Sequence, residues 1–508
     1  MLRHPPEHFL LRTIPFLFKI EEHKELLILL LGAVNMDFMN EMERSAGLKV
    51  FGVVSSNMVF QRAVPICIRG TAGRSGLMVF GEFLGERKTT VTDEEGNWTL
   101  TFSPHSAVPE PQTLKLETEA GDLQEFHEIL VGDVYFITGQ SNAEMTLNQC
   151  IAAYPEDQKD LASDTVRLFT QTREYVISHP EFWKIPQDDV INPAWHWNKT
   201  TEETAYTFSA LGYYFGKELS KTIKDVPIGL IMAAAGGAQI SELMPEETAK
   251  QQGYTISAAV GIAGYYNTLI HPFIHTPIRA MLFYQGESES NPQSCGQYGK
   301  DLAEFVKALR TKWGSSFKFY NVQLSSHGKI SYDYWPSIGD LRAAQFEAIN
   351  HIPDYYLAAA LDCGFQEGDP DFAHPLYKKA PGQRLARLVL SAEYGLLDME
   401  YASSPYPVSA QWKERCVQIG FRCVGEGLKL FGEGTHLTGF QIEKNGERKD
   451  AAARITGKNM VEVSCPGEGE AVCYGMQQLA GPDIANLSNS ESLPSPAFRL
   501  ERKQAFTP

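Results

Sequence analysis

Apolar and polar positions follow two different rhythms along the chain, and the changes of rhythm divide it. From about residue 47 to 128 the apolar runs are short, as in Met58-Val59-Phe60, Pro65-Ile66-Cys67-Ile68 and Leu77-Met78-Val79-Phe80, with glycine or charged turns between them. Within this region TTVTDEEGNWTLTF reads as a hairpin: an alternating Thr/Val strand, an acidic turn ending at Gly96, and a second alternating strand, Trp98 to Phe102. Such closely spaced short strands predict a small sandwich. From about 129 to 395 the pattern becomes DVYFITG, VPIGLIMAAAGG, IRAMLFYQGES, FKFYNVQLS and DYYLAAALD, each a buried-strand run that ends in glycine or polar residues. Helical segments intervene. In GKDLAEFVKALRTKWG, Leu302, Phe305, Val306 and Leu309 recur on one helical face. Strands alternating with helices predict a mostly parallel sheet covered on both sides. After about 396 alternation returns in EGLKLFG, LTGFQIEKNGERKDAAARITG and MVEVSCPGEGEAVCYGM, predicting a second β module to residue 508. Residues 1–46 read as an N-terminal tail.

Composition narrows the function classes. A chain of 508 residues with 43% apolar and 21% charged residues is ordinary for a globular protein of several domains. The net charge of −17, with acidic residues spread throughout, argues against nucleic acid and against an anionic membrane surface as partners. It leaves room for an acidic substrate, because a local pocket can oppose the net charge. The eight cysteines are scattered, with no C-x-x-C or Cys/His cluster, so free thiols and no zinc site are expected. His271 and His275 in HPFIH have zinc-helix spacing, but Pro272 stands where the glutamate is needed, and the pair reads as structural. No metal or organic cofactor is expected. The run at residues 26–34 is of signal-peptide length, but Glu21, Glu22 and Glu25 precede it and no A-x-A-like site follows. A cytoplasmic protein is therefore expected, or an extracytoplasmic one if that run is a signal. Met36, Met39 and Met42 are alternative starts. Nothing in the sequence speaks to oligomeric state.

The candidate chemistry sits where ligands bind in parallel sheets, at the carboxyl ends of strands. Four clusters fall there: Gly139-Gln140-Ser141-Asn142, Ala235-Gly236-Gly237, Tyr284-Gln285-Gly286-Glu287-Ser288, and Asp371-Phe372-Ala373-His374-Pro375 in a loop before a helix. A serine hydroxyl needs a base and an orienting group to become nucleophilic, and N–H donors where the oxyanion forms. Ser141, His374 and Asp371 supply the first set. The backbone N–H groups of Ser141 and Gly237, with the Gln285 amide, supply the second. Taken singly, each element has a plainer reading: a turn serine, a relieved strand end, a loop histidine. Their joint placement favours catalysis. The α/β-hydrolase elbow is not indicated, since Ala143 stands where G-x-S-x-G requires its second glycine.

These blocks, in this order, resemble the sialate O-acetylesterase family within the SGNH (GDSL-like) hydrolases. LVGDVYFITGQSNAEM is similar to its strand and G-Q-S-N-M motif, VPIGLIMAAAGGAQISELM to its P-I-G-L-I…G-G-T block, and GYYNTLIHPFIHTPIRAMLFYQGES to its Y-Q-G-E segment. DFAHPLYKKAPGQRLARLVL is similar to its H-P-x-x-K…G-x-R-L-A stretch, and NLSNSESLPSPAFR to its closing motif. The resemblance implies a flavodoxin-like three-layer α/β/α catalytic domain flanked by N- and C-terminal β-sandwich-type modules. It also implies a serine esterase acting on an acetylated sugar. Ser141 would be the nucleophile, His374 the base and Asp371 its partner, with Asp369 and Asp362 as nearby alternatives for the last role. Gly237 and Gln285 match oxyanion positions. Gln140 and Asn142 would lie at the substrate, and Glu287 would support the loop or contact a sugar hydroxyl. The chain departs from the pattern at Ala143-Glu144, at Ala235 and at Ala238, which bears on the acyl and sugar pockets. The substrate is expected to be an acetylated sialic acid, with acetylated xylan or mannan fragments as the alternative. A noncatalytic carbohydrate-binding protein is the reading from a different class.

Overall fold

A computed structural model describes residues 47–257, 259–327, 336–366, 369, 373–432, 434–477 and 484–502. The N-terminal tail, the apolar run at 26–34 and Asp371 lie outside these residues.

The strand that carries the nucleophile motif organises the molecule. Leu123–Gly139 is 17 residues long, and from Ile129 onward every residue is buried. Consecutive side chains of a strand point to opposite faces, and Tyr135 and Phe136 show it. Tyr135 meets Phe215 of the Ala210–Thr222 helix edge-on at 4.9 Å, while Phe136 meets Phe273 and Trp313, each at 5.6 Å, on the other side. Both faces are therefore apolar, as a sheet sandwiched between helices requires. Removing one such ring from water contributes about 1.5–3 kcal/mol.

Around this strand, Ile228–Ala234 pairs in parallel on one side and Ala280–Tyr284 on the other. Lys318–Val322 and Tyr355–Ala358 follow outward from Ala280–Tyr284, also in parallel. Ser163–Thr170 lies parallel to Ile228–Ala234, and Trp197–Thr200 closes that edge antiparallel. Apart from the edge pair, the order is the flavodoxin-type 2-1-3-4-5, with its switch point at the end of the central strand. One layer contains Ala210–Thr222 packed on Lys379–Ala392, and the other Tyr298–Trp313 packed on Ile338–Glu347. The stripe Leu302, Phe305, Val306, Leu309 is the buried face of Tyr298–Trp313. Three layers of SGNH type result.

The same long strand reaches back into the N-terminal β module, where it pairs with Val108–Thr118 and Val59–Gln61. The expected border at 128/129 thus falls inside a continuous strand. TTVTDEEGNWTLTF is not a hairpin. Glu86–Val91 pairs with Met78–Phe83, whereas Asn97–Phe102 pairs with Ile66–Thr71 in a separate sheet. Asp93 accepts from the N–H groups of Glu95 and Asn97, and the turn carries the chain from one sheet to the other. The alternation does mark strands; which neighbour each strand joins depends on remote segments. At the C-terminal end, two four-stranded antiparallel sheets face each other, with Phe421 of one 6.0 Å from Phe498 of the other. Gln323 fastens this module to the central sheet by donating to Ala497 O and accepting its N–H.

Candidate active site

Gly139 lets the nucleophile strand end where it does. Its φ is +137°, and a Cβ there would lie 2.2 Å from Tyr284 O, so only glycine allows the two strand ends to approach so closely. The chain then passes through Gln140, extended, into the single helical turn Ser141–Glu144. Gln140 is buried, and Ser141, one residue on, is partly exposed.

Ser141 opens into a cavity of about 1010 Å³, large enough for a sugar ring and its substituents. Gly237 and His374 line the same cavity. Gly237 has φ +75° and takes the turn after the Ile228–Ala234 strand. Among the described residues the backbone N–H groups of Ser141 and Gly237 have no hydrogen-bond acceptor. Uncommitted N–H donors in the wall of a cavity that also holds a serine hydroxyl are what a tetrahedral oxyanion requires. Ser141, Gly237 and His374, widely separated in sequence, thus line one cavity.

Gln285, expected as a third oxyanion donor, is placed elsewhere. It is fully buried and does not line the cavity. Its Nε2 donates to Ala238 O and Glu289, and its Oε1 accepts from the Tyr298 hydroxyl. Glu289 is also fully buried, and desolvation pushes its carboxyl up to about 8. The three residues expected at the substrate, Gln140, Asn142 and Glu287, do line the cavity, and they also tie the scaffold together. Gln140 Oε1 accepts from the N–H groups of Gly286 and Ser288, which ties the nucleophile turn to the next strand end. Asn142 is 1% exposed and donates to Glu287 Oε1 while accepting from Lys378. Glu287 is buried beneath them, and this raises its pKa against the opposing pull of Asn142, Lys378 and His374. It holds the loop and also lines the cavity.

Of the acids near His374, Asp362 forms a bidentate pair with Arg384, and Asp369 accepts from Gln366 N–H and the Tyr377 hydroxyl. Both are committed away from the base.

The structure adds three groups that the sequence reading did not assign. Glu144 lines the cavity and accepts the Gly236 N–H at 2.6 Å; burial raises its pKa. Arg173 lines it too. The Glu144 carboxylate, the Arg173 guanidinium and the Ser141 Cβ lie 2.9, 3.2 and 3.6 Å from one point, where a Cβ on Gly236 would be. Arg173 makes no ion pair among the described residues, and its buried Nε has no acceptor. The signal for it was available: it follows the strand Ser163–Thr170, whose end is buried through Val166, Leu168 and Phe169. Lys378 is the third, 2% exposed, four residues after His374 in the H-P-x-x-K stretch.

Comparison with known proteins bears on the whole arrangement. Residues 131–391 match the family model described as carbohydrate esterase, sialic acid-specific acetylesterase. The sialate O-acetylesterase of Homo sapiens is 25% identical over 409 residues, covering 72% of this chain and 75% of the relative. That of Mus musculus is 24% identical over 432 residues, with 72% and 77% covered. A solved carbohydrate acetylesterase from Xanthomonas citri superposes with a TM-score of 0.76 at 26% identity, over 90% of this chain and all of that one.

Proposed function

The chain belongs to the sialic acid-specific acetylesterase family of carbohydrate esterases and is a carbohydrate O-acetylesterase, a carboxylic ester hydrolase; on that premise we propose that Ser141 is its nucleophile, His374 its base, and an O-acetylated sialic acid its substrate. The meeting of Ser141, His374 and the uncommitted N–H groups of Ser141 and Gly237 in one cavity carries the proposal. Ser141 Oγ attacks the acetyl carbonyl carbon as His374 takes its proton. The oxyanion is received by the two N–H groups. On collapse, the ester C–O bond breaks and His374 returns the proton to the leaving sugar oxygen. Water, deprotonated by His374, then cleaves the acetyl-enzyme to give acetate and free serine. Asp371 is proposed as the group that holds the imidazole tautomer.

The substrate assignment rests on the names of the relatives and on Arg173. A guanidinium in the wall of a catalytic cavity, beside Glu144 and with no carboxylate at ion-pair distance among the described residues, is suited to a substrate carboxylate, and sialic acid carries one whereas xylan and mannan fragments do not. Two measurements test the proposal. Ser141→Ala should abolish hydrolysis of p-nitrophenyl acetate and labelling by a fluorophosphonate; retained turnover would remove Ser141 from its role. Acetylated sialic acid should be turned over faster than acetylated xylo- and manno-oligosaccharides, and Arg173→Gln should erase that preference while sparing p-nitrophenyl acetate. A preference for the neutral sugars would transfer the assignment to the xylan or mannan class.

A further inference from the structure

Lys378 is a cation placed where cations are costly. It is 2% exposed, and burial pushes its pKa down. An ammonium has three donors and no acceptor. One reaches Asn142 Oδ1 at 2.7 Å and one reaches Pro375 O at 2.5 Å, while the group also lies 5.8 Å from the centre of the Tyr284 ring. Because the ammonium can only donate, it dictates which way the Asn142 amide faces. Oδ1 must turn to Lys378, so Nδ2 turns the other way, to Glu287 and to Ala373 O at 3.4 Å. Asn142 is the residue after Ser141. Ala373 and Pro375 are the residues before and after His374.

We propose that Lys378 is a positioning residue that, together with the Asn142 amide, staples the loop on both sides of His374 to the turn that carries Ser141. The inference rests on the reading of these two residues as base and nucleophile. Neither Lys378 nor Asn142 touches the reacting atoms through these bonds. What they set is the register between two groups that arrive from opposite ends of the catalytic domain. Glu287 accepts from the far side of the same amide, so the amide is held between the carboxyl and the ammonium. Displacement of a catalytic group by about 1 Å costs on the order of 100-fold in rate.

The test uses the leaving group. A p-nitrophenolate departs without a proton, whereas an alkoxide or sugar oxygen needs the one His374 returns. Lys378→Met, with active sites counted by fluorophosphonate, should lose about tenfold more kcat/KM on an alkyl acetate than on p-nitrophenyl acetate. Asn142→Ala should show the same split, and the double variant should be no worse than the poorer single one, since both remove one staple. A merely structural role would lower both esters equally. Equal losses would overturn the inference, as would additive losses in the double variant. If Lys378→Met does not fold, Asn142→Ala alone decides by the same split. His374→Ala separates the two levels. If it shows no leaving-group split, the assignment of the base fails; if it shows the split and Asn142→Ala does not, only the staple fails.

Discussion

Asp362 lies near His374 in sequence, and the bidentate pair it forms with Arg384 predicts a structural and not a catalytic role. Arg384 Nη1 lies 2.6 Å from Oδ1 and Nη2 lies 2.5 Å from Oδ2, with the side chains only 9% and 11% exposed for Arg384 and Asp362. Two unit charges about 4 Å apart attract by about 4 kcal/mol at an effective dielectric of about 20. Removing one partner of such a buried pair costs about 3–5 kcal/mol, because the other is left uncompensated. Asp362→Asn keeps one acceptor, and Arg384 keeps its bond to Ala359 O at 2.7 Å, so the lower end, about 3 kcal/mol, is expected. For a catalytic domain of this size that corresponds to a fall of roughly 6–12 °C in Tm. Burial raises the Asp362 carboxyl, and the charge and hydrogen bonds of Arg384 outweigh it, so the net position is below the ordinary carboxylate range. A depressed folded-state pKa contributes stability above the unfolded value, and that contribution is lost as pH falls through the folded one. The gap between wild type and Asp362→Asn should therefore be full at pH 7 and narrow below about pH 4. Thermal and urea unfolding measure it, alongside kcat per fluorophosphonate-titrated site. An unchanged Tm with kcat down by 100-fold or more would refute the reasoning and make Asp362 the acid that acts on His374.

Two further outcomes follow from the same packing. The Glu289 carboxyl, raised by burial to about 8, contributes stability that is fully present below its unfolded pKa and is lost as pH rises through about 8. Glu289→Gln should therefore gain on wild type by about 3–4 kcal/mol between pH 5 and 8 in urea unfolding, and a gap that stays constant with pH would discount the buried proton. Gly139→Ala would set a Cβ 2.2 Å from Tyr284 O at a φ of +137°, and should cost about 2–4 kcal/mol and displace the nucleophile turn. Wild-type melting and wild-type fluorophosphonate labelling of that variant would show that the strand ends need not lie so close.

What the sequence determined by itself was local. Runs of apolar residues ending in glycine mark strands because burial on both faces demands apolar side chains throughout, and the stripe in Tyr298–Trp313 marks a helix because its period is that of the helix. Ser141, Gly237 and His374 were legible for a related reason. They stand at strand ends or in a loop, where a parallel sheet opens, and they do meet in one cavity. Pairing and amide direction were not legible. Asn97–Phe102 alternates like the second arm of a hairpin, yet joins Ile66–Thr71, because a strand's edge accepts whichever neighbour the rest of the fold presents. Gln285 has the right amide at the right strand end, but Ala238 O, Glu289 and Tyr298 claim it from inside. Lys378 and Asn142 lie 236 positions apart in sequence, and only the packed sheet brings an ammonium to an amide and so decides which way that amide faces. Chemistry that depends on residue type survives in one dimension. Chemistry that depends on where a hydrogen bond goes is decided by atoms from distant parts of the chain.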